Sequence, residues 1–396
     1  MSAARQTRVG VLFGGRSVEH DVSIVTAHQI MRAFDPTAYE VVPVYIDREG
    51  RWWAGEPLHS LETFKASSIS AVPGVVPVTL SPSVQHHGLI VNPTPEGLFA
   101  RSRVIRLDVI FPAIHGSHGE DGTLQGLLEL ADIPYVGCGV LASAIANDKA
   151  MTKTVLRAGG VPVVDAITFT RTEWLSSPDA LLARISSALA YPIFVKPATL
   201  GSSIGIGRAD DERMLRAFID LAANFDERLI AESAVTDATE INCAVMGDAR
   251  GIEASVLEQP VSWQEFLSFE EKYLRGGEGM KSAERIIPAP LPPDLTARIR
   301  ETAIQAFRLI GGRGIARIDF LIQQESGAIF LNEINTMPGS LAFYLWAESG
   351  ITGRDLVARL VGLARDAYAE KRRSTYNYQT SLVSLTAARG VKGIKK

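Results

Sequence analysis

The 396-residue chain reads as an α/β protein of two or three domains, since single domains hold about 100–200 residues. Three observations predict that class. Short apolar runs of strand length alternate with segments of helical period from the first residues onward, the pattern of sheets flanked by helices. Residues 316–339, ARIDFLIQQESGAIFLNEINTMPG, read as two apolar strands around a polar turn holding Gly327. The hydrophobic share of 46% and charged share of 21% are those of a soluble globular enzyme.

Element by element, residues 8–13 (RVGVLF) form a buried strand and Gly14-Gly15-Arg16-Ser17 a tight turn. Helical spacing occupies 22–34, a strand 41–46, a polar proline-rich region the stretch to about 102, and a strand 104–111. In open sheets ligands sit outside the carboxyl ends of strands, where the turns at Gly14 and His115-Gly116 would lie. A helix over 148–159 ends at glycine, and strands at 163–168 and 193–196 flank a helix at 178–189. Strands at 228–232 and 240–246 continue the series. Residues 267–283 are polar, glycine-rich and charged, as a mobile loop is. A long helix over 295–310 has Asp294 placed to cap it, and an amphipathic helix covers 355–368. Residues 370–396 are basic and lack a clear period, and no internal repeat is present.

A net charge of −4 gives no support for a nucleic-acid or membrane-surface partner, and the basic tail has few interleaved aromatics beyond Tyr376 and Tyr378. Cys138 and Cys243 are too few for a disulfide framework and read as small buried hydrophobes. The start, MSAARQTRVGVLFGG, is neither a signal peptide nor a membrane span, so the cytoplasm is the expected location.

The chemistry concentrates in the 316–339 hairpin. Alternate residues of a strand share a face, so Arg317 and Asp319 point one way, as do Glu333 and Asn335. A turn centred near Ser326 sets Asp319 opposite Glu333 and Arg317 opposite Asn335. Two carboxylates facing each other repel, and with an amide oxygen they suit magnesium, which takes one or two carboxylates plus substrate phosphates. A polar sheet face in water is the alternative reading. Lys196 ends a strand and precedes the small-residue loop Pro197 to Gly207, whose glycines and Ser202 and Ser203 could cradle phosphate or merely form a hairpin. His115-Gly116-Ser117-His118-Gly119-Glu120-Asp121-Gly122 follows a strand and precedes a helix near Thr123, which suits a substrate-shaping turn better than a zinc site. Glu19 either satisfies a helix start or holds a substrate ammonium group. Lys149 and Lys272 are phosphate candidates only in company with Lys196.

Together GGRSVEHDVS, HGSHGEDGTLQG, NDKAMTK, VKPATLGSSIGIG, EEKYL, ARIDF and LNEINTMPG resemble the D-alanine–D-alanine ligase family of the ATP-grasp superfamily, from about residue 8 to 365. The resemblance implies a three-domain α/β ATP-grasp fold with ATP held between two β-sheets. The domains would be 1–137, carrying the first-substrate turn and a dimer contact; 138–231; and 232–365, with a lid loop at 267–285 and the metal hairpin. Residues 366–396 would be an extension outside the match. The implied reaction is ATP-dependent joining of two D-alanines through an acyl phosphate, for peptidoglycan synthesis. Lys149, Lys196, Ser203 and Lys272 would contact phosphates, Glu232 would lie beside the adenine, and Glu240 would bind the ribose. Asp319, Glu333 and Asn335 would ligate two magnesium ions, with manganese as a substitute. Glu19, in a network with Ser202 and Tyr273, would hold the first D-alanine's amino group. Lys272 and Tyr273 would ride the lid, His115 would shape the substrate turn, and Arg317 with the Gly339 N–H would stabilise the oxyanion. A homodimer is implied as well.

One departure bears on the second substrate. After MPG the family continues Phe-Thr and reaches a serine before leucine. Here Ser340-Leu341-Ala342-Phe343-Tyr344-Leu345 follows, so Tyr344 stands where that serine would be, and Ser340 is a second candidate. A ligase joining D-alanine to a different amino acid, or a nucleotide-binding regulator without catalysis, are the competing readings.

Overall fold

The computed structural model describes residues 5–92, 103–261 and 285–376, together with 380, 381, 383 and 384. Its strands form three sheets. The first is ordered β6-β5-β4-β3-β2-β1-β7. It holds β1 (Thr7–Gly14), β2 (Tyr39–Ile46), β3 (Trp52–Ala54), β4 (Val76–Leu80), β5 (Gly88–Val91), β6 (Arg103–Arg106) and β7 (Val109–Pro112). β1 runs parallel to β2 and β7, and the outer strands pair antiparallel.

Two expectations are corrected here. The proline-rich region folds into β3, β4 and β5, because Trp53, Val78, Leu80 and Leu89 supply buried side chains despite the polar residues around them. The run expected as one strand at 104–111 is two strands on opposite edges of the sheet. The chain breaks at Leu107-Asp108, where Leu107 is buried and the Asp108 carboxylate accepts the Arg8 N–H at 2.8 Å. Helix α1 (His20–Ala33) covers this sheet with Ala27, Ile30 and Met31, a buried stripe at helical spacing.

Helices α2 (Thr123–Ala131), α3 (Val140–Asn147) and α4 (Lys149–Ala158) lead onward. Asp148 caps α4 by accepting the Ala150 and Met151 N–H groups at 3.0 Å each. The second sheet, ordered β10-β9-β11-β8, is antiparallel: β8 (Ala166–Thr170), β9 (Ile193–Pro197), β10 (Gly207–Ala209) and β11 (Arg228–Ser233). With α5 (Arg171–Ser176), α6 (Pro178–Ala188) and α7 (Glu212–Ala223) it encloses a core of its own, which includes Phe169, Trp174, Ile193, Ile219 and Leu229.

The third sheet, β14-β13-β12-β15-β16, comprises β12 (Ala238–Asp248), β13 (Gly251–Pro260), β14 (Arg285–Ile286), β15 (Gly314–Gln323) and β16 (Ile329–Asn335). Helix α8 (Pro293–Leu309) starts two residues earlier than capping by Asp294 would allow. Pro293 opens the helix and Asp294 sits in its first turn, where its charge still favours the helix dipole. Helices α9 (Phe343–Glu348) and α10 (Gly353–Lys371) follow, with Thr352 capping α10. One apolar cluster runs from Val9, Phe13 and Phe111 through Trp346, Leu356 and Leu360 to Met246 and Ile315, so the first and third sheets share a core. The expected divisions at 231 and 365 fall inside β11 and α10. Lys272, Tyr273 and all of the expected lid but Arg285 lie outside the described residues.

Candidate active site

The β15–β16 hairpin has the register read from its sequence: Arg317 faces Asn335 and Asp319 faces Glu333, with a bulge just after. Asp319 is 2% exposed. Arg317 clasps it in fork geometry, with Nε to Oδ1 and Nη2 to Oδ2 both at 2.7 Å, and the Asn335 amide donates to Oδ2 at 2.9 Å. Burial raises the Asp319 pKa, and Glu333 and Glu258 add to the rise against the pull of Arg317. Burial works against the Arg317 charge, yet Asp319 holds its pKa well above the ordinary value.

This excess of negative charge is what a divalent cation would offset. Among the described residues no group of three or more His, Cys, Asp or Glu side chains is placed to hold a metal. The donor set is instead two carboxylates and an amide oxygen, which leaves coordination positions for phosphate oxygens and fits magnesium.

Opposite the hairpin lies the first turn. Glu19 precedes α1, but its side chain makes no capping bond. It accepts a short hydrogen bond from the Ser202 hydroxyl, reaching across from the loop after β9. Gly116 must be glycine, because a β-carbon there would sit 2.6 Å from Glu19 Oε2 and the backbone has φ +69°. His115 is buried, and its Nε2 shares a 2.9 Å hydrogen bond with the Thr26 hydroxyl of α1. The Ser340 N–H donates to the same hydroxyl at 3.3 Å. Burial lowers the His115 pKa to about 4, so the ring is neutral at pH 7.

The lysines divide into two sets. The Lys149 ammonium donates to the Leu200 carbonyl at 2.6 Å; burial lowers its pKa, and Glu333 offers the main opposing attraction. Lys196 and Lys153 both grip Glu232, at 2.6 and 3.1 Å, and the Lys153 and Glu232 side chains are 3% exposed. Burial opposes ionisation of Glu232, but the two lysines draw its pKa down to about 2. Glu232 therefore orients the lysines, whatever else it touches.

A single cleft is lined by Glu19, His115, Lys149, Ser202, Arg317, Glu333, Asn335 and Gly339. Glu240 is exposed and Ser203 lies on the loop beside the cleft, and neither lines it. Tyr344 stands behind Arg317: its hydroxyl donates to Glu258 at 2.8 Å, and the Arg285 guanidinium lies 4.3 Å above its ring. Burial raises its pKa. The Ser340 hydroxyl is buried with no hydrogen-bond partner among the described residues.

Sequence reading missed Thr26, Glu120, Lys153 and Glu258. Glu120 and Lys153 lay within motifs already singled out, HGSHGEDG and NDKAMTK, so their neighbours were the available signal. Thr26 and Glu258 lie on a regular helix and strand, and no local pattern marks them.

Three sheets, with a cleft lined by Glu19, Glu333 and Lys149 and flanked by the Lys153–Glu232–Lys196 cluster, define an ATP-grasp fold, the class of enzyme that spends ATP to join two molecules. Known proteins narrow the class. Residues 8–138 match the model of the D-ala D-ala ligase N-terminus and residues 155–362 that of its C-terminus. The chain belongs to the D-alanine–D-alanine ligase family. It is 37% identical over 377 residues to a D-alanine–D-alanine ligase of Thermosipho africanus, covering 95% of this chain and 98% of that one. It is 39% identical over 381 residues to one from Geobacillus kaustophilus, covering 94% and 99%. Among solved structures, the D-alanine-D-alanine ligase of Coxiella burnetii matches with a TM-score of 0.75 at 29% identity, over 98% of this chain and 99% of that one. The VanG D-Ala:D-Ser ligase of Enterococcus faecalis matches at 0.76 and 28%, over 91% and 100%.

Proposed function

We propose that this protein uses ATP and magnesium to join two D-alanine molecules into D-alanyl-D-alanine for cell-wall peptidoglycan synthesis. The observation that carries the reading is the cleft itself, where residues of six separate motifs converge. The first D-alanine docks with its ammonium on Glu19, which Ser202 holds in place. Its carboxylate takes the ATP γ-phosphoryl group and becomes an acyl phosphate. Lys149 and Lys196 bring positive charge to the phosphates, and Ser203, Lys272 and Glu240 complete the nucleotide contacts, with Glu232 holding Lys196. Asp319, Glu333 and Asn335 would hold the magnesium, taken as two ions with manganese as a substitute, which offsets charge on the transferring phosphoryl group. The second D-alanine attacks as the neutral amine, Arg317 with the Gly339 N–H stabilises the tetrahedral oxyanion, and its collapse breaks the acyl C–O bond and releases inorganic phosphate with the amide. The family resemblance would add Tyr273, which lies outside the described residues, to the Glu19–Ser202 network.

Ser340, Tyr344 and Arg285 form the acceptor side. The phenol and guanidinium there are bulkier than a serine, so other D-amino acids and D-lactate belong in the substrate screen. A homodimer through residues 1–137, the divisions at 231 and 365, and a cytoplasmic location are parts of the same proposal. Among the described residues no helix is long and apolar enough to cross a membrane.

The test is ADP release with ATP, magnesium and D-alanine, the product read by mass spectrometry. Dipeptide is expected from D-alanine alone, and Glu333→Gln is expected to lower turnover at least a thousandfold by removing a metal ligand charge. Near-normal turnover of that variant would remove Glu333 from the metal site.

A further inference from the structure

Glu120 is a carboxylate at the floor of the cleft that the proposed chemistry does not use. Its Oε2 accepts the Gly116 N–H at 2.7 Å, and its Oε1 accepts the Met337 N–H at 2.8 Å. Gly116 adjoins His115, and Met337 lies two residues before Gly339. We propose that Glu120 is a positioning residue, tying the loop of the first-substrate turn to the loop that presents the Gly339 N–H. It thereby fixes that N–H over the carbonyl the second amine attacks.

Three observations support this role. Pro338 lies between the tied Met337 and Gly339 with φ −59°, so a hold on Met337 is passed on through a stiff residue. After Gly339, three consecutive residues, Ser340, Leu341 and Ala342, have φ of 50°. No β-carbon-bearing run adopts that conformation without external restraint. Glu120 to Met337 and the Thr26 hydroxyl to the Ser340 N–H restrain the segment from outside, and the burial of Leu341 and Ala342 in the core adds to them. Finally, the two backbone donors bond to different oxygens of one planar group. A carboxylate offers both, and an amide only one. Enclosure and the nearby Glu19 raise its pKa to about 8, and the two backbone N–H bonds and Arg317 pull against that rise.

The inference rests on the two-step reading above, and the experiment separates the two. Full-length wild type, Glu120→Gln and Glu120→Asp are compared at three readouts. The first is oxygen-18 exchange between the β,γ-bridge and β-nonbridging positions of ATP, at D-alanine levels that fill the first site only; it reports the phosphoryl transfer. The second is dipeptide formation, and the third the thermal unfolding midpoint. Both variants are expected to keep exchange within about threefold and to lose about ten- to a hundredfold in dipeptide formation, as leaving one enclosed backbone N–H without its acceptor predicts. The KM for ATP stays unchanged and the midpoint moves little. Equal loss of both steps, with a lowered midpoint, would make Glu120 an ordinary structural residue and overturn the proposal. So would full retention of dipeptide formation. Absence of exchange in the wild type overturns the acyl-phosphate reading itself.

Discussion

His115 is a ring enclosed by protein whose pKa falls from 6.5 to about 4 on folding, chiefly through burial. In the unfolded chain it takes a proton near pH 6.5; in the fold it does so only near 4. A depressed histidine therefore contributes stability that is complete above pH 6.5 and is lost as pH falls from there toward 4. Glu120 works in the opposite sense, since its raised pKa costs stability as pH rises from 4.5 to about 8. Comparing wild type with His115→Gln by denaturant unfolding isolates the ring. The wild type's advantage is expected to shrink as pH drops from 6.5 to 4, and an unchanged difference across that window would mean the ring is not held neutral. Much at this scale was legible beforehand. Glu19 and His115 announce themselves because polar groups stand in turns that follow apolar strands, whereas Lys149 stands out only in company with Lys196. Thr26 does not, since one hydroxyl on a regular helix gives no sign that the chain will return to it at Ser340, 314 residues later.

Among the elements, the β15–β16 hairpin was the most legible, because strand alternation and a turn centred near Ser326 determine which residues meet. The bulge after Asp319 was not, for it depends on how Asn332 is accommodated by neighbouring strands. Strands β3 to β5 were hidden by their shortness and their prolines, and β6 and β7 by being contiguous in sequence yet far apart in the sheet. The acceptor side illustrates the limit further. Tyr344 of α9 meets Glu258 of β13 only through tertiary packing, and Asn242 of β12 also donates to that carboxylate, at 3.3 Å. Tyr344→Phe removes the bond to Glu258 and is expected to raise the KM for the second D-alanine about three- to tenfold, with Tyr344→Ala raising it further and the KM for ATP unmoved in both. Initial-rate kinetics with both substrates varied would show this, and an unchanged KM would remove Tyr344 from the acceptor side.

For the whole molecule, the sheets do not share their interiors equally. The first and third are joined through α1, α9 and α10, whereas the four-stranded sheet has its own core. Its links to α4 are polar: the Lys153–Glu232–Lys196 cluster, the Arg228–Asp148 pair at 2.8 Å, and the Lys149 N–H on the Ala198 carbonyl at 2.9 Å. The α/β class was readable from the alternation of strands and helices and three domains from the family resemblance, but this partition of cores was not, because it depends on which apolar faces meet. Leu229→Ala, in the small core, is expected to cost about 2–5 kcal/mol locally. Hydrogen exchange would then rise across 166–233 while β1 and β15 stay protected; uniform exchange over the chain would contradict the partition. The self-contained small core has a practical corollary. A clamp with one independently folded jaw loses that jaw first on warming, so inactivation is expected to precede bulk melting. Nucleotide, which needs both jaws, would act as a preservative, lifting the early transition and leaving the later one where it was.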